Sequence, residues 1–176
     1  MERRDVLRRT GAVATAWVVT LSGCSEPGEP TEREQRTATT VGMVTYRGDY
    51  YFDPVGLFVD PGTTVTWELE SGDHSTTAYT EGTGGATVRR IPEGANGWNS
   101  GTFSEVGATF QHAFETPGTY DYFCIPHKSL EMVGRVVVGE PGGPAAGSLP
   151  RDGDVPESQR IVDEGTVSYD GFSSQQ

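Results

Sequence analysis

Residues 114–138 read FETPGTYDYFCIPHKSLEMVGRVVV, two strand-like runs joined by a short loop. In the loop, two residues separate a cysteine from a histidine, and four more separate that histidine from a methionine. A soft thiolate, an imidazole and a weak thioether together suit copper, which must be held in both of its oxidation states. The loop therefore supplies three candidate ligands of one copper ion, Cys124, His127 and Met132.

A trigonal site of this kind needs a second imidazole, and the chain has three histidines in all. His74 follows one strand-like run and begins a β-prone Ser-Thr-Thr segment, so a β-sandwich is able to bring it over the Cys124 loop. His112 lies between two phenylalanines in the middle of a predicted strand, away from the open end at which loops build sites. We therefore predict His74 as the fourth ligand and interpret His112 as structural or solvent-facing.

Residues 41–139 have the pattern of one all-β domain. Val65, Trp67 and Leu69 alternate with polar residues, which predicts a strand with one buried and one wet face. Short runs of this kind are separated by turns such as Asp60-Pro61-Gly62. This texture is typical of a β-sandwich, and no useful helical period interrupts it.

The chain resembles the blue copper proteins of the plastocyanin, amicyanin and halocyanin group, and most of all the halocyanin type. Two segments carry this resemblance, residues 52–75 (FDPVGLFVDPGTTVTWELESGDHS) and residues 114–138. The resemblance spans residues 52–138. It implies an all-β, cupredoxin-like Greek-key β-sandwich with copper at one end, and single-electron transfer between Cu(I) and Cu(II) without substrate chemistry. The four ligand positions of the family fall on His74, Cys124, His127 and Met132.

The chain departs from the family pattern at two positions. The first histidine ligand is usually followed by an asparagine that ties the two ligand loops together, whereas this chain has Ser75, whose shorter side chain is expected to do so less well. Phe123 replaces a tyrosine that plastocyanin uses in docking, so that docking route is not expected. An apolar edge beside the second histidine is the alternative patch for transient partners, although it also fits plain loop packing. This edge consists of Ile125, Pro126 and Leu130.

The N-terminal residues predict an exported, lipid-anchored protein. Residues 1–23 combine a basic start with an apolar run too short to span a membrane, and their end resembles the lipobox of lipoproteins. Cys24 is then the lipidated residue that holds the protein at the outer face of the cell membrane. Arg3-Arg4 resembles a twin-arginine export signal, but it also fits an ordinary basic start of a signal peptide. Residues 24–40 are polar and proline-bearing and are interpreted as a flexible tether.

Charge and cysteine content set further limits. Without residues 1–23, the chain has 9 basic and 23 acidic residues, a net charge of −14. This acidity favours salt adaptation, as in halophiles, over a docking surface for a basic partner, and it disfavours nucleic-acid binding. Because the site requires Cys124 as a thiolate, no disulfide is predicted. Residues 140–176 are acidic and rich in glycine and proline, and they are expected to be a mostly disordered tail.

Other functions fit the sequence less well. A copper oxidase or reductase needs further copper centres built from many histidines, and three histidines do not supply them. A copper-binding or copper-delivery module is the alternative, but such carriers use exposed methionine or cysteine clusters, which are missing from a chain with three methionines and two cysteines. We therefore predict no enzymatic activity and a monomeric electron carrier with transient partners, either membrane-bound or soluble redox proteins.

Overall fold

The computed structural model describes residues 39–175, in which nine strands form two sheets. The predicted export signal (1–23), Cys24 and all but the last two residues of the predicted tether (24–40) lie outside these residues. The strands are β1 (Thr40–Tyr46), β2 (Asp49–Asp53), β3 (Gly56–Val59), β4 (Thr63–Leu69), β5 (Thr77–Ala78), β6 (Thr109–Phe114), β7 (Gly118–Phe123), β8 (Val133–Val138) and β9 (Thr166–Val167).

The two sheets pack face to face as a sandwich. One sheet has the order β2-β1-β4-β6 and the other the order β5-β7-β8-β3-β9. The β1–β4 and β3–β8 pairs are parallel and the other pairs are antiparallel. Side chains from both sheets, among them Phe52, Trp67 and Tyr122, form one shared core. The predicted all-β sandwich is therefore confirmed.

The two central strands differ in what covers their outer faces. In β4, Val65, Trp67 and Leu69 are fully buried and alternate with more exposed residues, as the sequence pattern predicts. In β7 every residue is buried, so that Tyr122 joins the core while Asp121, on the opposite face, is also inaccessible. Part of the chain outside the sandwich must therefore cover the outer face of β7.

The C-terminal segment supplies this cover, which corrects the expectation that residues 140–176 are mostly disordered. Two short helices, α1 (Ser158–Glu164) and α2 (Tyr169–Ser173), flank the edge strand β9, which pairs with β3. Ile161 of α1 and Val167 of β9 are buried against the outer face of the second sheet. None of the helices in residues 39–175 is long and apolar enough to cross a membrane.

A buried ionic network explains why so polar a segment is ordered. The Asp121 carboxylate accepts hydrogen bonds from Arg90 at 2.7 Å and from Arg135 at 2.8 Å, on the outer face of the sheet. Both guanidinium groups have further N–H groups that need acceptors. Carbonyl oxygens of the C-terminal segment provide these acceptors: Ser148 for Arg90, and Ala145, Ser148 and Pro156 for Arg135.

Candidate metal centre

Three of the four predicted ligands meet at one end of the sandwich. The Cys124 sulfur lies 3.6 Å from Nδ1 of His74 and 3.5 Å from Nδ1 of His127, and the two Nδ1 atoms are 3.1 Å apart. His74 is thus brought to the Cys124 loop, about fifty positions further along the chain, because β5, which follows His74, pairs with β7, which ends just before Cys124. Cys124 is a free, buried thiol, and Cys24 lies outside the described residues.

The geometry and chemistry of these three side chains fit one copper ion. Nitrogen and sulfur ligands bind first-row metals at about 2.0–2.3 Å, so three ligands arranged trigonally around one ion lie about 3.5–3.7 Å apart. The observed separations of 3.1–3.6 Å are close to this requirement. Two imidazoles and one thiolate in a trigonal arrangement are the ligand set of a blue-copper site.

Met132 is held beside this group by the backbone of the ligand loop. The Cys124 N–H donates to the Met132 carbonyl at 3.0 Å, and the Met132 N–H donates to the His127 carbonyl at 3.3 Å. A single 3-10 turn (Lys128–Leu130) separates the two residues and ends at Glu131, whose φ of 62° is left-handed. This tight turn places Met132 in the core, fully buried, as the candidate axial thioether.

A hydroxyl group orients the first imidazole. His74 is fully buried, and its Nε2 lies 2.9 Å from Oγ1 of Thr45. The tautomer in which the hydroxyl oxygen accepts the Nε2–H leaves Nδ1 unprotonated and able to bind a metal. A Cβ atom at Gly72, where φ is +81°, would overlap this hydroxyl and lie 3.2 Å from Nε2.

The close approach at Gly72 gives a stability prediction with a local signature. Gly72→Ala is expected to cost about 1–3 kcal/mol for its left-handed backbone and, in addition, to displace Thr45 from His74. Urea unfolding and the visible spectrum of the copper-loaded protein measure the two effects. Gly62→Ala is the matched control, since Gly62 has φ +87° and a Cβ atom added there would have no heavy atom within 4 Å. Identical spectra for the two variants would count against a contact between the added Cβ atom at Gly72 and the Thr45 side chain.

An aromatic ring covers the second imidazole. Tyr50 stacks on His127 with ring centroids 4.0 Å apart and an interplanar angle of 19°. Neither Thr45 nor Tyr50 was a candidate on sequence grounds, because no motif marks them. The usable signal is the Arg47-Gly48 pair between two strand-like runs, which predicts a tight hairpin and hence pairing of the residues around it.

Ser75 ties the two ligand loops together despite its short side chain. Its hydroxyl accepts a hydrogen bond from the Ile125 N–H at 2.8 Å, and its own N–H donates to the Cys124 sulfur at 3.4 Å. The two ligand loops are therefore linked at the position that an asparagine usually occupies. That this link is weaker than one made by asparagine stays a prediction. A hydrogen bond to the ligating sulfur is one of the features by which a protein tunes such a site.

Burial sets the protonation of the ligand side chains. Burial lowers the pKa of His74 to about 4, with a further contribution from the neighbouring His127, and burial also lowers the pKa of His127. Both imidazoles are therefore neutral near pH 7, which is the form that binds metals. Burial raises the pKa of the Cys124 thiol, and hydrogen bonds from Ser75 and His127 partly oppose this rise. Since a bound cation favours the thiolate, metal uptake is expected to release the thiol proton.

The remaining sequence candidates lie around this centre. His112 packs against Trp98, with ring centroids 4.6 Å apart, and takes no part in the metal-ligating cluster found among the described residues. In the predicted docking edge, Leu130 exposes 53% of its surface and Pro126 is exposed, whereas Ile125 is half buried. Phe123 is fully buried, beneath Lys128.

Comparisons with known proteins show what the chain is similar to. Residues 39–139 match the family model of copper binding proteins, plastocyanin/azurin family. A halocyanin from Natronomonas pharaonis is 31% identical over 172 residues, covering 77% of this chain and 99% of the relative. A plastocyanin from Scenedesmus fuscus is 29% identical over 102 residues, covering 56% of this chain and 97% of the relative. The pseudoazurin of Methylobacterium extorquens AM1 is 23% identical with a TM-score of 0.48, covering 78% of this chain and 98% of that structure.

Proposed function

Because the chain belongs to the plastocyanin/azurin family of copper-binding proteins, we propose that it is a single-electron carrier with one copper ion held by His74, Cys124, His127 and Met132. The observation that carries the proposal is the convergence of one sulfur and two Nδ1 atoms within 3.6 Å of one another. Copper bound there exchanges single electrons by alternating between Cu(I) and Cu(II).

The surroundings of the ligands favour electron transfer over copper delivery. His74, Cys124 and Met132 are fully buried, and His74 and Cys124 are each fixed by a hydrogen bond to a neighbouring residue. Ligands held in this way rearrange little when the charge of the ion changes. A delivery module would instead need accessible ligands that exchange the metal readily, and the three buried residues do not provide them.

The proposal predicts an intense blue colour. The purified full-length protein, loaded with copper and oxidised, is expected to absorb strongly in the visible range through thiolate-to-copper charge transfer, and to lose that band on reduction. Metal analysis is expected to give one copper ion per chain. Stoichiometric copper without this band would contradict a thiolate-ligated electron-transfer site, while favouring the alternative of a copper-binding module.

We propose the His127 edge as the exit of the electron. Of the four ligand residues, His127 alone is not fully buried. It is bordered by exposed Pro126 and Leu130, and a small apolar surface of this kind suits the weak, transient docking of a redox partner. Ile125 contributes less than the sequence suggests, because it is partly buried.

The sequence of residues 1–24 supports a membrane anchor as part of the proposal. If Cys24 is lipidated after export, the membrane association of the full-length protein is expected to vanish in Cys24→Ala. Partitioning of the expressed protein into a detergent phase measures this, with copper loading as a check that the domain is intact. Cys24→Ala that partitions like the wild type would contradict the anchor but leave the copper site untouched.

A further inference from the structure

We propose that one cross-strand pair of the β1–β2 hairpin, Thr45 with Tyr50, is a clamp that positions both copper-ligating imidazoles. The inference rests on the proposed function, since it concerns the orientation of His74 and His127 toward the ion. Neither residue of the clamp binds the metal. Both act on the parts of the imidazoles that face away from the two Nδ1 atoms.

The hairpin places the two residues side by side. Thr45 and Tyr50 are direct partners in the β1–β2 register, so their side chains lie on the same face of the sheet. Arg47 and Gly48, with φ of 54° and 98°, form the two-residue turn between the strands, and a turn of this type fixes the register. A slip of β2 by one residue would turn Tyr50 to the opposite face, while β1 stays paired with β4.

The hairpin is itself fixed to the loop that carries the first histidine. The Thr45 N–H donates to the Ser71 hydroxyl at 2.8 Å, and the same hydroxyl donates to the Thr45 carbonyl at 2.9 Å. Thr45 then meets Nε2 of His74 through its side chain. Three hydrogen bonds thus join Thr45 to Ser71 and His74 and set the distance between the hairpin and the histidine.

Each member of the pair restricts a different motion. The Thr45 hydroxyl holds His74 against rotation about its side-chain bonds and keeps Nε2 as the protonated nitrogen. The Tyr50 ring, stacked on His127, prevents that imidazole from swinging toward solvent and excludes water from one of its faces. Together they hold the imidazole rings whose two Nδ1 atoms lie 3.1 Å apart.

Three variants and a control test the clamp. Thr45→Val keeps the shape of the side chain and removes the hydrogen bond, Tyr50→Leu removes the stack, and Tyr50→Phe retains it. Tyr51→Leu is the control, because Tyr51 is the next residue of β2, on the opposite face, and stacks on Tyr169 at 3.9 Å. The full-length proteins are loaded with Cu²⁺ for potentiometry and with Zn²⁺, which has no redox chemistry, for release rates.

An imidazole whose second nitrogen donates to an oxygen is more basic and so favours the more highly charged ion. Thr45→Val is therefore expected to weaken Cu²⁺ binding relative to Cu⁺ about tenfold, which raises the reduction potential by about 59 mV. Tyr50→Leu is expected to release Zn²⁺ about tenfold faster than the wild type. Tyr50→Phe and Tyr51→Leu are expected to behave like the wild type in both measurements.

The outcomes separate the clamp from the proposed function. A wild-type protein that binds copper without a charge-transfer band overturns the proposed function, and the clamp with it. A blue wild type whose potential and Zn²⁺ release are unchanged in Thr45→Val and Tyr50→Leu overturns the clamp alone. If Tyr50→Leu does not fold, Thr45→Val decides by itself, with the Nε2–H of His74 in the metal-free protein read directly by ¹⁵N NMR.

Discussion

Cys124→Ser is expected to abolish the visible charge-transfer band and to weaken copper binding by about 100-fold or more. The lower bound follows from the roughly 10–100-fold loss typical of removing a group that only supports a ligand, since Cys124 is itself the ligand. A serine hydroxyl is harder than a thiol and stays protonated, so it does not replace the thiolate. Absorption spectroscopy of the oxidised protein and a copper titration in the presence of a competing chelator measure the two effects.

The fold is expected to survive this substitution. The Ser75 N–H, which donates to the Cys124 sulfur at 3.4 Å, can donate to the serine oxygen instead, so the buried hydroxyl keeps a partner. The metal-free variant should therefore unfold in urea close to the wild type. His112→Gln is the control, because it removes a histidine that is not a proposed ligand. This variant is expected to stay blue, since His112 packs on Trp98 and lies outside the ligand set. A Cys124→Ser protein that keeps its colour would rule out the proposed site.

The centre of the site was predictable because its chemistry is concentrated in one short loop. The spacing of Cys124, His127 and Met132 limits which metal fits. Because the chain has only three histidines, the second imidazole ligand had to be either His74 or His112. Strand position settled that choice, since a residue just after a strand reaches the open end of a sandwich. The structure brings His74 to the Cys124 sulfur and leaves His112 on β6.

The groups that support the ligands were not predictable in the same way. Thr45 and Tyr50 act through tertiary contacts, and a threonine or tyrosine in a strand is ordinary in any β-protein. Ser75 was interpreted as a weaker link from its length alone, but the loop around Ile125 approaches closely enough for a short hydroxyl to accept the hydrogen bond. Distances of a few tenths of an ångström decide such contacts, and sequence patterns do not resolve them.

The C-terminal segment was misjudged for a different reason. Its composition is poor in large apolar residues, which is the usual sign of a segment unable to bury enough surface to fold. The segment is held instead by carbonyl groups that accept hydrogen bonds from Arg90 and Arg135, with Ile161 and Val167 as its apolar contacts. Arg135 stands in a valine-rich strand, and a charged residue in a strand buried on both faces is the one sequence signal for a hidden polar partner.

Asp121→Ala is expected to destabilise the protein by about 3–5 kcal/mol, the cost of leaving a buried charge without its partner. Asp121 is fully buried and is the carboxylate shared by two buried guanidinium groups, so its loss leaves two positive charges facing each other. A loss of this size is a large fraction of the stability of a single domain. Urea unfolding of the metal-free full-length protein measures it without the contribution of bound copper.

An exposed ion pair in the same segment provides the control. Arg160 and Glu164 are one helical turn apart with nitrogen and oxygen 2.8 Å apart, and Glu164→Ala is expected to cost only about 0.3–0.5 kcal/mol, less at high salt. The cost of Asp121→Ala should be nearly independent of salt, because the pair is shielded from solvent ions. Hydrogen exchange of residues 145–158 should also accelerate in Asp121→Ala alone. Unchanged exchange there would mean that the apolar contacts of α1 and β9 hold the segment without the ionic network.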